Sequence, residues 1–244
     1  MMKDFTLKKY KELLDTLQGY GEVTLRHDVD RKPQHSLKTA RMEHELGLKA
    51  TYYFRAVPES WDEEIIREIS GMGHEIGYHY ESLATCHGDV EAAYFDFCAN
   101  LAKLRALAPV TSICMHGSPK SKWDSRELWK HYDYRQLGVT FEPYFDTDFS
   151  QVFYLTDTGR RWDGFKVSVR DKIPEYQDQW VKNGWVYRHT DDVIKAMKMS
   201  EFPKKAMITT HPQRWTDNRV EWCIELLGQS VKNVAKRLLI KKKM

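Results

Sequence analysis

Arg26-His27-Asp28-Val29-Asp30 gathers two carboxylates and an imidazole at the end of Glu22 to Arg26, a Gly-bounded run that reads as a buried strand. Packed carboxylates need a cation, hydrogen-bond donors or water. Asp-x-Asp at a strand tip is a way to hold a divalent ion, or to divide base and ligand roles between two acids. The plain alternative is a solvated loop that caps the next helix. Other apolar runs end in the same manner, at His79 and Glu81, His116, Asp157 and His211. Five polar strand ends in one chain are hard to reconcile with chance.

The elements that would carry these residues alternate. Helical patterns cover Leu7 to Leu17, Pro33 to Glu45, Trp61 to Ile69, Val90 to Leu107, Asp191 to Met199 and Arg219 to Leu239. Strand patterns cover Glu22 to Arg26, Ala50 to Phe54, His74 to Gly77, Thr111 to Met115, Gly138 to Phe141, Val152 to Leu155, Gly184 to Tyr187 and Ala206 to Thr210. Strand-then-helix alternation predicts parallel strands joined by crossover helices, in a barrel or a doubly wound sheet. In a parallel barrel the C-terminal strand ends form the active face, where the polar residues fall. No Gly-rich dinucleotide loop or Gly-Lys-Ser/Thr follows the first strand, which argues against a nucleotide-phosphate cradle.

The chain has 244 residues, 41% hydrophobic and 30% charged, with a net charge of +3. That is ample for a full core, and the dispersed charge points away from nucleic acid. No linker or repeat divides it, so one domain is expected over 1–244, with an N-terminal helix (about 7–17) and a C-terminal amphipathic basic helix (about 219–240). Val220, Ile224, Leu227, Val231, Val234 and Leu238 form an apolar stripe on the latter, expected to dock on the barrel's outside. No apolar run is long enough to span a bilayer, and the Met1-Met2-Lys3 start has no signal-like segment. Lys241-Lys242-Lys243 allows at most a weak membrane-surface contact. Four scattered cysteines suit reduced thiols and a cytoplasmic location.

The motif order from about Val23 to Pro212 resembles the polysaccharide deacetylase family, the NodB-homology carbohydrate esterases. Gly73-His74-Glu75-Ile76-Gly77-Tyr78-His79 is its most specific piece, close to the family's G-H-E-I-G-N-H. Leu48 to Phe54, His27-Asp28-Val29-Asp30 and Met207 to Pro212 resemble the family's second strand, a variant first motif and the closing strand. The resemblance implies an α/β fold, an irregular (β/α)7 barrel. It implies Asp28 as general base toward a water on a divalent metal, Asp30 and His79 as metal ligands, and His211 as the acid that protonates the leaving amine. The ion would be zinc, with cobalt, nickel or manganese accepted by the same ligand types. The chemistry is coherent: an amide is a poor electrophile, and its nitrogen must be protonated to leave.

Two departures stand out. The family's second imidazole falls at Leu83, which cannot bind a metal, so a third ligand must come from elsewhere. His27, Glu81 and His87 are the local candidates, His27 and Glu81 foremost, although on a regular strand His27 faces away from Asp28. The third motif reads Met115-His116-Gly117-Ser118-Pro119 in place of an Arg near a Pro, and His116 is open to two roles, partner of Asp28 or missing ligand. Thr156-Asp157-Thr158-Gly159-Arg160-Arg161-Trp162 resembles the fourth motif, with Asp157 expected to orient His211. Arg160, Arg161, Arg170 and Arg214 are candidate forks for an anionic group, and Trp162, ahead of Trp123 and Trp215, is a candidate sugar platform, with loop anchors as the plain alternative.

The expected activity is removal of an N-acyl group, foremost N-acetyl, from an amino sugar of a surface polysaccharide or its precursor, with the sugar carried free, on a lipid or on a nucleotide. One alternative is a metal-free barrel that only binds carbohydrate, motivated by Leu83. The other is a metal-dependent glycosyltransferase built on Asp28-Val29-Asp30 or Asp146-Thr147-Asp148, which leaves His79 and His211 without a role.

Overall fold

The computed structural model describes residues 4–118, 121–168 and 170–241, the last six of these by backbone alone. In chain order the elements are α1 (Leu7–Leu17), β1 (Glu22–Val29), α2 (Pro33–Glu45), β2 (Ala50–Phe54), α3 (Glu63–Gly71), β3 (Glu75–Tyr80), α4 (Ser82–Thr85) and α5 (Val90–Arg105). Then come β4 (Ser112–Met115), α6 (Pro143–Asp146), β5 (Phe153–Thr156), α7 (Pro174–Lys182), α8 (Thr190–Lys198), β6 (Lys205–Thr210) and α9 (Arg219–Lys241). Side-chain caps start several helices: Thr6 accepts from the amide of Lys9 at 3.0 Å, Asp62 from that of Ile65 at 3.1 Å and Asp89 from that of Ala92 at 3.0 Å.

All strand pairs are parallel, in the order β4-β3-β2-β1-β6-β5. The strands alternate strictly. Leu25, His27 and Val29 of β1 point to the helices, whereas Arg26 and Asp28 point inward. One register level runs through Asp28, Tyr53, Gly77 and Ser112. Tyr53 crosses that level and bonds to the Ser112 hydroxyl. A Cβ on Gly77 would lie 2.4 Å from the Tyr53 ring, so only glycine fits beneath it.

The sheet curls without closing. The Arg26 guanidinium sits 5.6 Å from the Tyr53 ring centre and 5.2 Å from that of Tyr144. Tyr144 in turn lies 6.5 Å from Tyr154 on the far edge strand β5. The two sheet edges are thus bridged through side chains rather than a strand ladder. The molecule is an irregular (β/α) barrel with six strands among the described residues. The expected seventh, Gly138 to Phe141, is reduced to a single bridge between Ser112 and Phe141. The segment after it turns away because Glu142 caps α6 and accepts from the Met115 amide at 3.1 Å. The run 184–187 is a loop that packs aromatic rings on Phe153, so its apolar pattern reports burial and not pairing.

The apolar stripe of α9 is a second correction. Val220, Ile224, Leu227, Val231 and Val234 face outward, each between 60% and 71% exposed. The polar side of the helix makes its contacts with the body instead: Glu221 lies 3.2 Å from Lys32, Asn233 donates to the Gly159 carbonyl at 2.8 Å, and the Trp222 indole donates to the Asp4 carbonyl at 2.8 Å. Leu238, Lys242 and Lys243 fall outside the residues whose side chains are described. No helix among the described residues is long and apolar enough to cross a membrane.

Candidate metal and acid-base centre

Every strand but β2 ends in one of the singled-out residues, and β2 ends in Arg55. Asp28 and Asp30 come from β1, His79 and Glu81 from β3, His116 from just past β4, Asp157 from just past β5, and His211 from just past β6. The inward-pointing members line a cavity of about 600 Å³ with Asp28, Asp30, His79, His116 and His211 on its walls.

Asp30, His79 and His116 converge. His79 Nε2 lies 3.7 Å and His116 Nε2 3.5 Å from Asp30 Oδ1. The other oxygen of Asp30 accepts from Gln213 at 3.1 Å, whereas buried Oδ1 has no hydrogen-bond partner among the described residues. A buried carboxylate oxygen facing two imidazole nitrogens without a donor is expensive unless a cation completes it.

The tautomers agree. His79 Nδ1 lies 2.9 Å from the Cys114 carbonyl, which only accepts, so the proton sits on Nδ1 and the Nε2 lone pair faces Asp30. Burial pushes the His79 pKa down to about 4, against the raising effect of Asp28 and Asp30, and the ring is neutral near pH 7. His116 Nδ1 lies 2.8 Å from Glu81 Oε2. Burial would raise Glu81, but the bond to His116 and the charge of Arg55 hold it down at about 2. It therefore accepts the Nδ1 proton, and His116 Nε2 is free for a ligand role. Burial likewise works against ionised Asp30, and the surrounding His116, His211, His79 and Arg214 overcome it, holding its pKa well below the usual range.

One carboxylate and two imidazoles, with ligand atoms all within 4.8 Å of one another, fit a divalent ion of the zinc class. A second group, Asp28, His79 and Cys114, meets the same distance test. It is the poorer site, because burial raises the Cys114 thiol far above its ordinary range and a protonated thiol is not a ligand.

Flanking the trio are a carboxylate and an imidazole, each held by its own partners. Asp28 receives a two-pronged bond from Arg26, Nε to Oδ1 at 2.8 Å and a terminal nitrogen to Oδ2 at 2.7 Å. Asp28 Oδ2 is 3.8 Å from His79 Nε2. On the other side, His211 Nε2 is 3.9 Å from Asp30 Oδ2. His211 Nδ1 lies 2.6 Å from Asp157, whose other oxygen accepts from the Trp215 indole at 2.9 Å and the His211 amide at 3.1 Å. Burial and Arg214 disfavour charge on His211, but Asp157 and Asp30 outweigh them and raise its pKa. Gly159 permits the turn behind Asp157: its φ is +78°, and a Cβ would meet Val167 at 2.5 Å.

Several expected site residues lie elsewhere. His27 is wholly buried on the helix side of β1, 2.8 Å from Glu43 and 2.6 Å from the Thr210 hydroxyl. The regular strand alternation excludes it as a ligand. Glu81 sits behind His116, and its two oxygens are already engaged, one by Arg55 Nε at 2.9 Å and the other by His116 Nδ1 at 2.8 Å. Trp162 is buried against Phe5 and Trp215, and its indole donates to Thr190 at 2.9 Å. It is a core anchor and not a sugar platform. Arg161 pairs with Asp163 and does not line the cavity; Arg160 stacks on Trp222 at 4.4 Å and donates to its carbonyl at 3.0 Å. Arg214 does line the cavity and donates to the Asp157 carbonyl at 2.8 Å. Pro119 lies outside the described residues. The second Asp-x-Asp is spent on local structure: Asp146 accepts from Tyr134 at 2.8 Å, and Asp148 from Ser150 at 2.6 Å.

Three site residues escaped the sequence reading. Arg26 is one, although its i, i+2 spacing to Asp28 on a strand puts both on one face. Gln213, on the turn after His211, is another. The third is Asp171, a cavity carboxylate that accepts from Tyr154, Thr156 and Thr158. His211 and Arg26, with these hydroxyl bonds, hold its pKa down at about 2 against burial. It sits in a loop with no motif to mark it.

No protein-family model and no curated protein matches the sequence. Among solved structures, the chain is similar to a mutant of a CE4 family pseudoenzyme, at 11% identity and a TM-score of 0.43, over 88% of this chain and 63% of that one. It is also similar to a polysaccharide deacetylase of Bacillus cereus, at 14% identity and a TM-score of 0.39, over 91% of this chain and 88% of that one. A mutant peptidoglycan deacetylase of Bacillus subtilis gives 12% identity and a TM-score of 0.39, over 91% of this chain and 97% of that one. The chain thus spans less than two thirds of the first of these. What the site can do follows from its own geometry.

Proposed function

We propose that the chain is a metal-dependent amide hydrolase that removes an N-acyl group, foremost N-acetyl, from an amino sugar of a surface polysaccharide or its precursor. The observation that supports this reading is that the Asp28 carboxylate, held by Arg26, and the His211 imidazole, held by Asp157, lie on two sides of Asp30, His79 and His116, where a base and an acid would be needed. A binding module needs neither an acid nor a base in such a position. A divalent ion on the trio, zinc foremost, would supply Lewis acidity toward an amide carbonyl and a water acidic enough to ionise near neutral pH.

The chain's own residues do the rest. Asp28, fixed by the Arg26 fork, takes a proton from the attacking water. His211 carries a proton on Nε2 while Asp157 holds Nδ1–H, and gives it to the departing nitrogen as the C–N bond breaks. A C–O bond forms in its place, and the products are a carboxylic acid and an amine. Arg55, Arg170, Arg214 and Lys232 line the cavity and suit an anionic carrier, a lipid or nucleotide phosphate, on the sugar. Four free thiols fit the expected cytoplasmic setting, and the reading treats 1–244 as one domain.

The test is release of acetate from N-acetylated amino sugars and their oligomers by protein loaded with zinc, cobalt or manganese. Release that disappears in Asp28→Asn and His211→Ala supports the reading. Protein that holds metal stoichiometrically yet frees no acetate from any of them overturns it.

A further inference from the structure

Helix α9 is inverted relative to an ordinary surface helix. Its polar side faces the barrel and its apolar side faces outward. Inward, Glu221 pairs with Lys32 and Glu225 with Arg31, and Gln229 and Lys232 reach the wall of the catalytic cavity. Outward, Val220, Ile224, Leu227, Val231 and Val234 recur at spacings of four and three and stand open. Scattered exposed apolar residues need no explanation, but a continuous stripe along a helix does.

Charge selects the occupant. From Leu226 onward the sequence holds Lys232, Lys236, Arg237, Lys241, Lys242 and Lys243 and no acid. A second copy is poorly matched. Parallel pairing of two such helices would bring the cationic halves together. Antiparallel pairing would set each cationic half toward Glu221 and Glu225, which Lys32 and Arg31 already neutralise. An anionic lipid surface matches both features at once, the exposed apolar stripe and the excess of cations in the sequence of the helix's second half.

We propose that α9 docks the protein on an anionic membrane surface through its outward stripe, with the helix itself, whose Gln229 and Lys232 line the cavity on the inward side, between that surface and the cavity. The proposal rests on the hydrolase reading only in what such a surface would bring close to the cavity, a lipid-linked acylated sugar. Docking itself is tested without any substrate.

The experiment is flotation of the metal-loaded full chain with empty vesicles, some of phosphatidylcholine alone and some with about 30 mol% phosphatidylglycerol, at about 0.1 M salt. Wild type is compared with Leu227→Ser/Val231→Ser and Val220→Ser/Ile224→Ser, whose side chains are exposed, so thermal unfolding should be unchanged. The expected result is cofloating with anionic vesicles that falls at least about tenfold in either variant, on neutral vesicles, or in high salt. Wild type that floats with neither vesicle overturns the proposal. So does a wild-type dimer in light scattering that the variants convert to monomer without a change in flotation, or capture of the stripe by an acidic protein in place of lipid. None of these results bears on acetate release from soluble sugars, so the two readings fail separately.

Discussion

His116 Nε2 stands 3.5 Å from Asp30 Oδ1, and that buried oxygen has no hydrogen-bond donor among the described residues. The two residues are far apart in sequence and meet because β1 and β4 bring their C-terminal ends to one mouth of a curled sheet. A second imidazole, which Leu83 does not provide, thus reaches Asp30 from the end of another strand. Leu83 itself is buried in the apolar core.

Removing the group behind that imidazole should weaken the site without emptying it. Glu81→Ala frees the His116 ring to rotate and to change tautomer. Zinc affinity should fall about 10–100-fold, as for other backing carboxylates. Competition with a chromophoric chelator measures it.

Arg26 holds Asp28 from within the barrel, where both are almost wholly buried. Arg26→Met leaves a buried carboxylate without its cation, and should cost about 3–5 kcal/mol in chemical denaturation. The fraction that remains folded should hydrolyse at least about a hundredfold more slowly, because the base is no longer aimed. A stability loss with full kcat would remove Arg26 from the positioning of Asp28.

Two histidines give opposite pH signatures. The His79 pKa is depressed to about 4 from an ordinary 6.5, so its contribution to the metal-free fold is present above pH 6.5 and lost as pH falls through about 4. That amounts to up to about 3 kcal/mol. The His211 pKa is raised, so its contribution is complete below 6.5 and fades as pH rises through the folded value. The alkaline limb of kcat/KM should therefore lie above 6.5, and Asp157→Asn should move it to lower pH. Urea midpoints across pH and a pH–rate profile test the two signs.

Much of this was legible in the sequence. Strand ends at Asp28, His79, His116, Asp157 and His211 follow from period-two patterns and turn residues, and the same period predicts that His27 faces away from Asp28. The partner of His116 was not legible, because which strand ends approach depends on how far the sheet curls. Tyr53, Gly77 and Tyr144 set that curl across separations no local pattern reports. The period of the α9 stripe marks an apolar face, but periodicity does not say whether the chain itself covers it. Trp162 sits beside a motif and was credited with its chemistry, whereas its neighbours Phe5 and Trp215 come from distant parts of the chain.

Trp162 and His27 make the complementary test. Trp162→Ala should destabilise by about 3–5 kcal/mol with KM little changed in the folded fraction, as expected of a core anchor. His27→Ala should also destabilise, by leaving Glu43 short of a partner, and should keep full metal stoichiometry.

The most direct measurement is the metal content of the purified chain after zinc loading and desalting, in wild type beside His116→Ala, His79→Ala and Asp30→Ala. About one ion per chain in wild type and almost none in each variant is the predicted result. Full stoichiometry in His116→Ala, or a wild type that holds no metal, would contradict the assignment of Asp30, His79 and His116 as the ligand set.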